Sequence, residues 1–196
     1  MSKNKIEGQC KLCKNHGLLT FEHVPPRTAF NDKRVKVVSG SELFDHVVSD
    51  RNPWELSQLY GRIQQKGKGG YYLCKDCNAN AGSWYVPYYE EFIKGICSAC
   101  SQESYEKREA VLIETGSFSP LPIIKQVLLM FLDINNIGFG DDELRDFIIN
   151  KEKKTGFNSN KYKVYCFIVR GSVERLCGFS VYMIDTRSEI QLLGVT

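Results

Sequence analysis

The chain reads as α+β, in two consecutive parts. Short apolar runs such as Leu18 to Phe21, Val35 to Val38, Tyr71 to Leu73 and Val164 to Val169 have the length and composition of strands. Longer stretches with helical spacing, chiefly Leu121 to Ile134, lie among them. Matched cysteine pairs, Cys10-x2-Cys13 and Cys74-x2-Cys77, pin the first runs together. At 196 residues, 42% hydrophobic and 25% charged, the composition is that of an ordinary globular protein rather than a disordered chain.

Residues 1–9 read as a polar lead. Cys10 to Asn15 forms a tight turn, and Leu18 to Phe21 a strand that runs into Glu22-His23 before Pro25-Pro26 stops it. Residues 31–70 read as an insertion. In it, Val35 to Val38 is a strand, and Asn52-Pro53-Trp54-Glu55 starts a helix with an N-cap, a first-position proline and a capping acid. That helix is predicted to reach about Gln65, with glycines 67, 69 and 70 ending it. Tyr71 to Leu73 is a second short strand. A helix follows Cys77, interrupted near Gly82 and Pro87, and runs to about Ile96. Ala110 to Thr115 is a strand, Leu121 to Ile134 a mostly buried helix, and Asp141-Asp142-Glu143 opens another with acids at its positive end. Lys151 to Lys161 is a polar loop. Val164 to Val169 turns at Gly171-Ser172 into Leu176 to Ile184, an antiparallel hairpin. The division expected is residues 1–104 with their insertion, then an α+β accessory unit over 105–196.

The first 20 residues lack a secretory apolar core, and the run Leu121 to Leu132 is too short and too interrupted to span a membrane. The expectation is a cytoplasmic protein, where eight cysteines are metal ligands or buried thiols rather than disulfides. Chance would supply roughly 0.3 C-x2-C pairs at this composition, and the chain has three. Two such pairs supply four thiolates, the complement of a closed structural zinc site. The third pair, Cys97 and Cys100, could join Cys166 and Cys177 in a second zinc site, or all four could be buried thiols. Charge is uneven: residues 1–75 hold 13 Lys/Arg against 7 Asp/Glu, and residues 76–196 hold 13 against 16. The basic half suits an acidic partner such as nucleic acid, although a solvated basic face would look the same.

Cys10-x2-Cys13, a strand, Glu22-His23-Val24-Pro25-Pro26, then Cys74-x2-Cys77-Asn78 resembles the zinc-containing HNH endonucleases, the ββα-metal nucleases, over about residues 10–82. The resemblance implies a zinc-stapled ββα-metal unit and hydrolysis of phosphodiester bonds, in DNA. It implies His23 as general base, and Glu22 and Asn78 as ligands of a catalytic Mg2+ or Mn2+, with Asn80 as a fallback ligand. Histidine titrates near neutrality without tuning, and hard oxygen donors suit those cations. Arg27, just past the two prolines, could grip a phosphate or simply be exposed. Lys68-Gly69-Gly70 stands where the family orients its base, and His46 of the insertion is a candidate substitute. His16 is a spare zinc ligand. The C-terminal unit is expected to set substrate choice, form a homodimer or bind a protein partner. The alternative is a zinc-stabilised module of the same fold, without catalysis, that binds nucleic acid or protein.

Overall fold

Antiparallel pairing across the first cysteine turn organises the N-terminal strands. The computed structural model describes residues 5–39, 41–42, 45, 48–49, 59–102, 117–155 and 162, except for the side chains of 99–102. Among these the fold is α+β, with two small sheets and four helices. β1 (Ile6–Gln9) pairs with β2 (His16–His23), with Ile6 opposite Leu19 and Gln9 opposite His16. β5 (Gly69–Cys74) lies on the other side of β2, giving a three-stranded sheet of order β1-β2-β5. The polar lead is therefore partly a strand. Ile6-Glu7-Gly8-Gln9 has little strand propensity of its own and takes its order from the edge of β2.

The register of β2 against β5 shifts between Thr20 and Phe21, a β-bulge. The extra residue is Tyr72 of β5, so Tyr71 rather than Tyr72 stands opposite Phe21. Leu19 packs against the core, whereas Phe21, of the same parity, is exposed. Beyond the bulge Glu22 faces inward and is buried.

β3 (Val35–Val37) pairs antiparallel with β4 (Arg62–Gln64) in a second sheet of two strands. The helix expected from Asn52 to about Gln65 lies outside the described residues as far as residue 58. Its expected last turn is β4 instead, because Val35 and Val37 offer a partner edge that local helix propensity cannot match.

α1 (Lys75–Trp84) begins directly on the last residue of β5, and α2 (Val86–Gln102) follows after a break at Tyr85. Pro87 explains that break. It lacks an amide hydrogen and fits only the first turn of a helix, so the chain restarts there. α3 (Pro120–Ile134) and α4 (Asp142–Ile149) stand as expected. Asp141 caps α4, accepting from Leu144 N at 2.8 Å. The expected strand over 110–115, the hairpin over 164–184, and residues His46, Cys166 and Cys177 lie outside the described residues.

By chain contacts the described residues fall into two groups, those of 5–31 with those of 69–162, and those within 32–68. In the first group, α3 and α4 share a core with the cysteine turn and α1. Cys10, Leu12, Leu73, Ala81 and Tyr85 pack with Leu128, Leu129, Leu132, Leu144, Phe147 and Ile148. Each fully buried Leu or Ile there contributes on the order of 1.5–3 kcal/mol. A second cluster joins Val24, Ala29, Tyr89, Ile123 and Met130.

Two buried cations, Arg145 and Lys125, and the half-buried Lys11 tie helix ends to this core. Arg145 donates to the carbonyls of Lys11 (3.0 Å), Ile137 (2.8 Å), Phe139 (2.6 Å), Gly140 (2.5 Å) and Asp141 (3.3 Å). Its guanidinium thereby shapes the α3–α4 loop and clasps it to the cysteine turn. Lys11 Nζ reaches the carbonyls of Asp133 and Asn135 at the end of α3, and lies over the Tyr72 ring. Lys125 does the same for the end of α4, donating to Asn150 O and Lys151 O.

Candidate metal centre

The four cysteines come from three adjoining pieces of backbone. Cys10 and Cys13 flank the β1–β2 turn, Cys74 ends β5, and Cys77 sits in the first turn of α1. Residues three apart at a helix start share a face, which aims Cys74 and Cys77 the same way. The turn is fixed by Lys14 N donating to Cys10 O (2.9 Å) and Cys10 N donating to Asn15 O (2.9 Å). Lys14 adopts φ 62°, a left-handed backbone that costs a non-glycine residue on the order of 1 kcal/mol. Lys11 N donates to Tyr72 O at 3.0 Å and so docks the turn on β5.

The sulfur atoms of Cys10, Cys13, Cys74 and Cys77 all lie within 4.8 Å of one another. A tetrahedral zinc with bonds of about 2.3 Å requires sulfurs about 3.8 Å apart. Cys13 Sγ and Cys74 Sγ are 3.9 Å apart, which fits zinc and is far too long for a disulfide. Four soft thiolates fill a closed coordination shell and leave no open position for substrate or water, the pattern of a structural site. Cys10 is fully buried, so the site is part of the core.

Crowding makes the metal-free thiols hold their protons unequally. The Cys77 thiol donates to Cys10 and lowers the Cys10 pKa to about 4. Cys77 is raised for the same reason, and Cys13 is raised chiefly by burial. A metal must displace the protons held by the raised thiols.

The expected hydrolytic centre takes a different form. Among the described residues, the group of His, Cys, Asp and Glu side chains able to hold one ion is these four cysteines. Glu22 lies inside the protein, 9% exposed, where burial pushes its pKa up to about 7. It lies against the fully buried Asp133 of α3, whose pKa is raised by burial and then by the Glu22 charge. The two carboxyls interact closely, yet Glu22 Oε2 and both Asp133 oxygens lack a hydrogen bond of ordinary geometry. His23, one residue on, belongs to the opposite face of the strand, its ring edge-on to Phe21 at 5.1 Å. Asn78 Nδ2 donates to Thr20 Oγ1 at 2.9 Å and Phe21 O at 3.4 Å, which braces α1 against β2.

The endonuclease reading is corrected accordingly. The metal cluster is all-cysteine and structural in type, and among the described residues no separate Mg2+ or Mn2+ site is shown at Glu22 and His23. With it fall the hydrolase assignment and the DNA-binding role tied to it. Arg27 is exposed in the turn after β2, Asn80 is exposed on α1, and His16 is exposed opposite Gln9.

No protein-family model matches the chain, and neither a curated protein nor a solved structure matches it.

Sequence reasoning missed Asp133, Lys11 and Arg145. A signal existed for the first: an acid inside the apolar run Leu128 to Ile134. Cys97 is exposed, and the side chain of Cys100 lies outside the described residues. Among the described residues no helix is long and apolar enough to cross a membrane.

Proposed function

We propose that the chain is a zinc-stapled binding module that keeps an HNH-like ββα layout without hydrolysis and binds nucleic acid. One observation carries the non-catalytic part: a closed, four-thiolate cluster whose first ligand is fully buried. Such a metal holds a fold together and presents no substrate position. The ββα layout is supported by β2, β5 and α1 meeting at Asn78 and at the second cysteine pair. The nucleic-acid partner is supported by the excess of 13 Lys/Arg over 7 Asp/Glu in residues 1–75. A cytoplasmic setting suits thiols that must stay reduced to hold the metal.

The test uses the full chain. One zinc per molecule is expected, and chelation should unfold the zinc-bearing group of elements, since structural zinc supplies on the order of 10–16 kcal/mol in small domains. Zinc affinity should fall as pH falls, because the raised thiols must be deprotonated to bind. Nucleic-acid affinity should decline linearly in log–log against salt. Incubation with plasmid and Mg2+ or Mn2+ should leave the plasmid intact. Cleavage lost on His23→Ala would overturn the non-catalytic reading, and absence of nucleic-acid binding at low salt would overturn the partner.

A further inference from the structure

We infer that the outward face of β2 and β5 is a stacking platform for single-stranded RNA, with Phe21 and Tyr71 as base-stacking rings and His23 beside them. This deepens the nucleic-acid-binding reading and rests on it. Phe21 and Tyr71 sit directly opposite each other in the sheet and are 44% and 42% exposed. Their rings meet edge to face at 5.5 Å, and the Phe21 ring meets His23 in the same way at 5.1 Å. Three aromatic rings thus stand together on a sheet surface that the hydrophobic core does not use.

The face is shaped for this exposure. The bulge at Tyr72 of β5 brings Tyr71 directly opposite Phe21, so the two rings share one face. Gly69, opposite His23, leaves room for the Phe21 ring: a Cβ there would lie 2.7 Å from Phe21 Cζ and 2.2 Å from Glu22 O. Any side chain at 69 would displace the ring.

The charges match a polyanion. The carboxylates of the three strands are Glu7 and Glu22. Glu22 is buried, and Glu7 sits on the edge strand β1, away from the Phe21–Tyr71 pair. Lys5 and Lys75 are exposed at strand ends and Arg27 in the turn after β2, against the exposed acids Glu7 and Asp76, an excess of positive charge. Stacking on side chains needs bases that are not already stacked in a duplex, and unpaired bases are the ordinary state of RNA loops and single strands. Aromatic rings on an open sheet are one way proteins hold them.

The experiment is fluorescence anisotropy of zinc-loaded, full-length protein with a labelled single-stranded RNA 12-mer. Competition by duplex RNA, single-stranded DNA and duplex DNA sets the preference. Phe21→Ala and Tyr71→Ala should each weaken binding about 5- to 150-fold, the range for loss of one base–aromatic stack. The salt slope should stay unchanged, because no phosphate contact is removed. Phe21→Trp should restore binding, whereas Phe21→Leu should not. Zinc content and thermal midpoint report that the variants still fold. Alanine variants that bind as tightly as the parent overturn the platform and leave the binding-module reading standing. Preference for a duplex or for deoxyribose strands overturns the single-stranded RNA assignment. Failure of the parent protein to bind any of the four nucleic acids overturns both readings.

Discussion

Replacing Glu22 by glutamine should stabilise the protein increasingly as pH rises from 5 to 8. Burial lifts the folded-state pKa of Glu22 from 4.5 to about 7. An acid whose folded pKa is raised holds its proton more tightly in the folded state. Its stabilising contribution is complete below the unfolded value near 4.5, and is lost as pH rises through the folded value near 7. Integrating between those values gives about 2 to 3 kcal/mol between pH 5 and pH 8. The part of the Asp133 rise that the Glu22 charge causes is lost in the variant as well and acts in the same direction, while the part due to burial is common to both proteins. Glutamine has no proton to lose and nearly the same shape, so the variant lacks this slope. The assay is equilibrium urea unfolding of the zinc-loaded parent and variant at pH 5 and pH 8. Zinc release at low pH is common to both and cancels in the comparison. A parent–variant difference that is the same at both pH values would refute the claim that this carboxyl is desolvated against Asp133.

Two further outcomes follow from the packing. Arg145→Met should cost about 3 kcal/mol or more, because five carbonyls lose a charged donor, and the thermal midpoint should fall by about 6–12 °C. A midpoint within about 2 °C of the parent's would show that solvent replaces the guanidinium. Asn78→Ala should cost about 1 kcal/mol, measured by urea unfolding, while one zinc per chain is retained. Zinc loss in that variant would mean that Asn78 does more than brace α1 on β2.

Much of the local structure is legible in the residues. The strands at Leu18 to Phe21 and Tyr71 to Leu73, the helix at Leu121 to Ile134 and the acid-led start of α4 all follow from composition, period and the helix dipole. The cysteine spacing points to one four-thiolate cluster because only a few backbone turns place thiols for zinc. Less was legible where a partner decides. Ile6–Gln9 and Arg62–Gln64 become strands because an edge was waiting for them, a fact no window of sequence contains.

The sequence by itself determined the metal cluster, since ligand identity and spacing are properties of the chain. Only the tertiary structure decided what surrounds it. Glu22-His23 looks like a pair of catalytic neighbours when read as letters. Strand alternation and one helix separate them: α3 brings Asp133 against Glu22 in the interior, while the strand turns His23 out beside Phe21. Facing in a β-strand depends on register, and register is set by contacts distant in sequence. The same residues that suggested a hydrolytic centre therefore form a buried acid pair on one side and an aromatic surface on the other.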